Sequence, residues 1–262
     1  MKKLVLATLG LALFFLLTCT FLPAEPVDSE TLYINGFKVN VVSIDTKDPS
    51  ISIKPAVAYG KKKYSYPNET FGSFVKRTKP VAAINGTYHD TNSFKPTGTI
   101  IVDGEVENIG CVGTVVGFTY KGDIQFHLAS SLKKYFIPWN TFEHAVCTGP
   151  TLVYKNSIYL NPKEEGFRDP RVLGYAKRSV LGYTGDDKLL LVTIRDSVNL
   201  KETAKIMLKL NCAYAVCLDG GGSSALYHDG EYLTYSDRKV TNFVSVNYNE
   251  PEYAGFIQVA GK

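Results

Sequence analysis

The chain has 262 residues but only one tryptophan, two methionines and four histidines. The histidines, His89, His127, His144 and His228, are scattered, and no CxxC or HxxxH spacing occurs. That excludes a zinc centre of the usual kinds. The familiar nucleotide-binding sequences are missing as well: there is no GxGxxG and no glycine loop ending in Gly-Lys-Ser/Thr. A GxSxG elbow is absent, which removes the hydrolases built on it. Charge of one sign is not in excess. The formal net charge is +4, and Lys2 and Lys3 supply two of those charges. A surplus this small gives no basis for nucleic acid as a partner. The one dense basic run, Lys61-Lys62-Lys63 beside Tyr64 and Tyr66, fits either a solvated loop or a contact with a polyanion. No linker or low-complexity stretch divides the chain.

Long apolar runs are lacking too, apart from one. Leu4 to Leu17 follows Lys2 and Lys3, and Pro23 breaks the chain soon after. This is the pattern of a secretory signal, or of a single N-terminal membrane anchor if it is not cleaved. Leu16-Leu17-Thr18-Cys19 is a weak match to a lipobox. Residues 1–24 are therefore assigned to the signal or anchor, and 25–262 to one domain. The domain is expected outside the cell, secreted or held at the outer face of the membrane, with membrane contact only through that segment. Cys111, Cys147, Cys212 and Cys217 follow it, and an exporting compartment could oxidise them in any of three pairings. Buried thiols are the alternative.

Seventeen tyrosines and fourteen phenylalanines are present. Both strand-rich folds and carbohydrate sites use aromatic rings in this number. Strand–turn–strand patterning dominates. Val39–Asp45 and Ile51–Ala58 flank Asp48-Pro49, and paired runs flank Asp103-Gly104, Lys121-Gly122-Asp123, Lys155-Asn156, Gly185-Asp186 and Asp229-Gly230. Helices are few. Asn199 and Glu202 form a capping box ahead of a stripe ending at Leu210, and a shorter helix is predicted over Thr70–Arg77. The first of these feeds a strand at Tyr214–Leu218. The expectation is an α+β fold: a single β-rich domain with a dominant mixed sheet, several hairpins and a few helices.

The sharpest chemical feature is Leu218-Asp219-Gly220-Gly221-Gly222-Ser223-Ser224. A buried strand delivers a carboxylate, then three glycines whose backbone can approach an anion closely, then two hydroxyls. A plain hairpin has little use for three costly glycines, so the turn reads as a phosphate site beside an acid, base or nucleophile. A second strand ends in Asn85-Gly86-Thr87-Tyr88-His89-Asp90. Asn85 could bond a sugar hydroxyl, Asp90 is a second candidate carboxylate, and His89 is a weaker candidate contact. Thr148-Gly149-Pro150-Thr151-Leu152 forms a constrained turn. Arg178 opens the run Arg178–Gly182 and could pair with a phosphate oxygen. Arg238 stands in Arg238-Lys239-Val240-Thr241-Asn242. Trp139 fits a sugar-stacking role and core packing equally.

In this order, over about residues 80–246, these segments resemble the phosphodiester glycosidase family. Thr87-Tyr88 departs from the Gly and Phe usual there. The resemblance implies hydrolysis of a sugar-1-phosphodiester, on cell-wall or exopolysaccharide-type glycans. It assigns Asp219, Asp90 and Arg178 to catalysis. It assigns Asn85, Gly86, Thr148, Gly149, Gly220, Gly221, Gly222, Ser223, Ser224 and Arg238 to substrate binding. No cofactor is required, although a divalent cation shared by Asp219 and Asp90 stays open. Two alternatives also stay open: a module that binds phosphate-containing polysaccharide without turnover, and a metal-dependent phosphodiesterase that cuts P–O.

Overall fold

The structure is a computed structural model, and it describes residues 25–59, 66–128 and 137–249. The N-terminal segment 1–24, with Cys19, and the Lys61–Lys63 run lie outside the described residues.

Three antiparallel sheets account for about half of the described residues. The seven-stranded sheet runs, edge to edge, Val27–Ile34, Phe37–Asp45, Lys188–Val198, Ala176–Thr184, Cys212–Cys217, Thr151–Tyr154 and Ser157–Ile158. A five-stranded sheet is ordered Glu231–Thr234, Leu226–His228, Ala82–Asn85, Asn242–Tyr248 and Ile51–Val57. The other five-stranded sheet is Glu105–Cys111, Gly98–Val102, Phe142–Thr148, Thr114–Thr119 and Ile124–His127. With few helices, this is the expected β-rich α+β class. The expected mixed sheet is corrected. The helix Leu200–Lys209 does carry the chain from Lys188–Val198 to a parallel strand, Cys212–Cys217, but Ala176–Thr184 already lies between them. Each therefore has only antiparallel neighbours.

Alternation along the strands builds the core. Val42, Ile44, Leu181, Leu189, Leu191 and Val216 of the large sheet meet Ala82, Ile84 and Val244 of the second sheet and Val116 and Val146 of the third. The intervening residues, such as Val41, Val180, Val192, Ala215 and Cys217, face the other way and pack with Ala204, Ile206 and Met207 of the helix. Burial on both faces explains why these strands read as continuous apolar runs. No helix among the described residues is long and apolar enough to cross a membrane.

The two predicted helices form, the first with Thr70 as its cap and not its first residue, the second with half of its capping box. Thr70 caps Phe71–Thr78 through Ser73 N–H at 3.1 Å, and Phe71, Phe74 and Val75 are buried. Asn199 accepts from Glu202 N–H at 2.9 Å, while the Glu202 carboxylate pairs forward with Lys205 at 2.6 Å rather than reaching back. The turns at Asp103-Gly104, Lys155-Asn156 and Asp229-Gly230 have two successive positive φ angles, as hairpins with right-handed twist require. Asp48-Pro49 instead turns the chain from one sheet to another.

Cys212 and Cys217 are buried thiols, both pushed up to about 12 by burial. They sit five positions apart on one extended strand. That is roughly 16 Å, so they cannot bridge even though both pack on the helix side of the sheet.

Candidate active site

The three sheets converge on Asp219. The Cys212–Cys217 strand ends two residues earlier, and Leu218 N–H donates to Ser179 O at 2.8 Å within the same sheet. From the second sheet, Gly86 O accepts Asp219 N–H at 3.0 Å and Asn85 Nδ2 donates to Asp219 O at 2.7 Å. From the third, Thr148 Oγ1 donates to Cys217 O at 2.7 Å. The carboxylate thus stands on backbone fixed from three directions.

Its Oδ2 is held by the Ser223 hydroxyl at 2.5 Å and by Arg238 Nη2 at 3.1 Å. Arg238 Nε donates in turn to Ser223 Oγ at 2.7 Å, closing a triangle. His89 Nδ1 lies 3.6 Å from the same oxygen. The His89 side chain is only 2% exposed, and burial draws its pKa below the ordinary value although Asp219 opposes the shift. Oδ1 of Asp219 accepts no hydrogen bond among the described residues. One oxygen is anchored and the other is available for chemistry.

The glycines are not equivalent. A Cβ on Gly220 would sit 2.7 Å from Lys177 O, so close backbone approach demands glycine there. Gly221 has φ +60°, with open space around a notional Cβ. At Gly222 a Cβ would meet only ordinary contacts, the nearest being Asp237 Cβ at 3.7 Å. Nothing among the described residues requires glycine at this third position, and Gly222 lines the cavity. That cavity, about 310 Å³, is floored by Asp219–Gly222 and Arg238. Tyr88, His89 and Thr91 form one wall, and Asp169, Arg171, Val172 and Tyr175 form another. Burial raises the Tyr88 hydroxyl well above its ordinary value, so it stays a neutral phenol.

Several sequence candidates take other positions. Asn85 is fully buried, and its Oδ1 accepts from Ser179 Oγ at 2.8 Å and Ala225 N–H at 3.0 Å. With Nδ2 on Asp219 O, its amide is occupied by protein. Gly86 is needed because a Cβ would fall 1.9 Å from Asn242 Oδ1, which accepts Thr87 N–H at 2.6 Å. Thr148 is buried, and Gly149 forms a cis bond to Pro150 and packs against Phe167. Ser224 is buried, its hydroxyl has no partner among the described residues, and it does not line the cavity. Asp90 is exposed and accepts from Asn92 N–H, Ser93 N–H and Ser93 Oγ at 3.1, 2.7 and 2.8 Å. It is the acceptor of a local turn, and those bonds hold its carboxyl below the usual range. Trp139 packs edge-on to Phe142, away from the cavity.

Arg178 reaches the cavity, but its guanidinium is committed elsewhere. Nε donates to Val198 O at 3.1 Å, Nη1 to Val172 O at 2.9 Å, and Nη2 to Gly174 O. Instead of the expected phosphate contact, it makes three bonds to carbonyls and braces the Arg171–Tyr175 wall. Sequence reasoning missed that wall. Its signal, Asp169-Pro170-Arg171, is a capping sequence with Asp169 accepting Arg171 N–H at 2.8 Å. The shared cation left open for Asp90 and Asp219 gains no support, since Asp90 is exposed on its own turn and does not line the cavity. Among the described residues, the ligand-bearing group is Asp103, Glu143 and His144, none of which lines this cavity. There Lys54 already pairs with Asp103 at 3.1 Å, and His144 Nδ1 accepts Asp103 N–H at 3.0 Å.

Two solved structures share the fold. A hypothetical protein from Synechocystis superposes with a TM-score of 0.73 at 16% identity, over 85% of this chain and 62% of that one. The zebrafish N-acetylglucosamine-1-phosphodiester alpha-N-acetylglucosaminidase catalytic domain, auto-inhibited by its pro-peptide, superposes with a TM-score of 0.67 at 20% identity. That match covers 85% of this chain and 82% of the zebrafish domain. The chain thus spans less than two thirds of the Synechocystis protein. No curated protein sequence matches it. The family model for phosphodiester glycosidases matches residues 78–247, from the approach to Asn85 through Asn242, and on that match the chain belongs to the phosphodiester glycosidase family.

Proposed function

We propose that the Asp219 cavity hydrolyses glycosyl phosphodiesters at the anomeric carbon, releasing a sugar and a phosphomonoester. The observation that carries this reading is the divided state of the Asp219 carboxylate. Ser223 and Arg238 hold Oδ2, and Oδ1 has no hydrogen-bond partner among the described residues, beside a three-glycine turn.

Cleaving the anomeric C–O bond passes through an oxocarbenium-like state while negative charge gathers on the departing phosphate. Phosphate leaves readily, so the site needs charge stabilisation more than a strong acid. Arg238 and the N–H groups of Gly220–Gly222 are the donors for that charge. Asp219 Oδ1 is the oxygen available to attack the anomeric carbon or to take a proton from attacking water. The lining carries three arginines, Arg171, Arg178 and Arg238, against two aspartates, Asp169 and Asp219. The surplus of one positive charge suits the single negative charge of a phosphodiester.

The reading places this reaction outside the cell, on cell-wall or exopolysaccharide-type glycans. Its support is the Lys2-Lys3 and Leu4–Leu17 pattern at the N-terminus. The test is turnover of a panel of sugar-1-phosphodiesters by the wild type and by Asp219→Asn. The variant is expected to stay folded and lose turnover by at least about a thousandfold. Full activity in Asp219→Asn would remove this carboxylate from the mechanism.

A further inference from the structure

With Asn85 buried and its amide occupied, no residue so far described grips the sugar. We propose that Asp169, Arg171 and Tyr175 form the subsite that holds the sugar ring, through vicinal hydroxyls and one ring face; this rests on reading the Asp219 cavity as a glycosyl phosphodiester site.

The three residues line the wall beside the Asp219–Gly222 floor. Arg171 grips Asp169 with two groups: Nε lies 3.1 Å from each carboxylate oxygen, and Nη2 lies 2.6 Å from Oδ2. Those bonds hold the Asp169 carboxyl below the usual range, so the pair is charged on both sides and neutral in sum. A neutral pair has little to offer a second phosphate. It does present acceptor lone pairs on Asp169 beside donors on Arg171, whose Nη1 makes no hydrogen bond among the described residues. Adjacent sugar hydroxyls, each both donor and acceptor, match that arrangement.

Tyr175 supplies the apolar part. The residue is 71% exposed, while its hydroxyl accepts from Asn199 Nδ2–H at 3.2 Å, which fixes the far end of the ring. An aromatic face fixed at one end and otherwise open to solvent at a cavity mouth is a surface for the C–H face of a sugar. The wall is also held in place before any ligand arrives. Arg178 binds Val172 O and Gly174 O on either side of the turn, and Val198 O next to Asn199. Such bracing lowers the ordering cost of binding. Arg178 is then a positioning residue for this subsite.

The experiment measures affinity in the inert Asp219→Asn background, so it reads the subsite whether or not the wild type shows turnover. The probes are the methyl phosphodiesters of glucose 1-phosphate and N-acetylglucosamine 1-phosphate, with their 3-deoxy and 4-deoxy analogues. Asp169→Asn and Arg171→Gln are expected to weaken binding of the parent sugars about ten- to hundredfold. On the deoxy analogue that lacks the gripped hydroxyl, the same variants should cost less than about threefold. Tyr175→Ala should lose roughly tenfold, and Tyr175→Phe, which keeps the ring, should restore most of it. Equal losses on parent and deoxy sugars, or none on either, would overturn the subsite. Absent wild-type turnover alongside the expected couplings would instead count against hydrolysis and leave the sugar assignment standing.

Discussion

Asn85 Nδ2 donates to the carbonyl oxygen of Asp219 at 2.7 Å, tying together residues 134 positions apart in the chain. The same side chain accepts from Ser179 Oγ and Ala225 N–H, so one buried amide joins the two sheets under the candidate catalytic carboxylate. Asn85→Ala would leave at least two buried backbone groups unpaired. Each costs about 1–3 kcal/mol, and each kcal/mol lowers the melting temperature of a domain this size by about 2–4 °C. Thermal denaturation should show that drop. An unchanged melting temperature with a raised KM would mean that Asn85 touches the sugar instead.

Ser223 and Arg238 are expected to act on kcat. Ser223→Ala removes the 2.5 Å bond that fixes Asp219 Oδ2 and also frees Arg238 Nε. Loss of one such electrostatic contact is worth roughly a hundredfold in kcat. Steady-state kinetics on a sugar-1-phosphodiester should show it with KM little changed.

The three glycines should separate into three behaviours. Gly220→Ala drives a Cβ to 2.7 Å from Lys177 O and is expected to cost up to about 3 kcal/mol of stability. Gly221→Ala has space but must hold φ +60°, at a cost of about 1–2 kcal/mol. Gly222→Ala should leave stability within about 0.5 kcal/mol. Because Gly222 lines the cavity beside Arg238, that variant is expected to raise KM roughly tenfold through the added methyl. Chemical denaturation and kinetics on the three variants check the order.

His144 gives a pH prediction. Its Nδ1 accepts Asp103 N–H at 3.0 Å, so a proton there would set donor against donor. Burial is the main cause that draws its pKa below 6.5, with Glu143 and Asp103 pulling the other way. The unfolded chain therefore binds the proton first. This contribution to stability is complete above the unfolded value and is lost as pH falls from about 6.5 through the lowered folded value. Melting temperature measured from pH 7.5 down to pH 5 should decline, and less steeply in His144→Gln.

Much of this molecule was legible in the sequence because its signals are local. Thr70 and Asn199 mark helix starts, and the Asp103-Gly104, Lys155-Asn156 and Asp229-Gly230 pairs mark hairpins. One local signal went unused. Asn35-Gly36, with φ angles of 53° and 83°, turns the edge strand Val27–Ile34 into Phe37–Asp45, but the edge strand is half exposed and lacks a strong apolar pattern. The motif residues were harder to interpret. A polar side chain at a strand end looks the same in sequence whether it meets a ligand or a distant carbonyl. Asn85, Thr148 and Arg178 bind backbone groups contributed by other elements, and only the assembled sheets show that. The Asp169–Tyr175 wall escaped notice for the opposite reason: its residues read as an ordinary capped turn.

Hydrolysis in oxygen-18 water tests the central claim most directly. With a sugar-1-phosphodiester as substrate, the account predicts label in the released sugar and none in the phosphomonoester. Label in the phosphate would show P–O cleavage and contradict a glycosidase role for the Asp219 site.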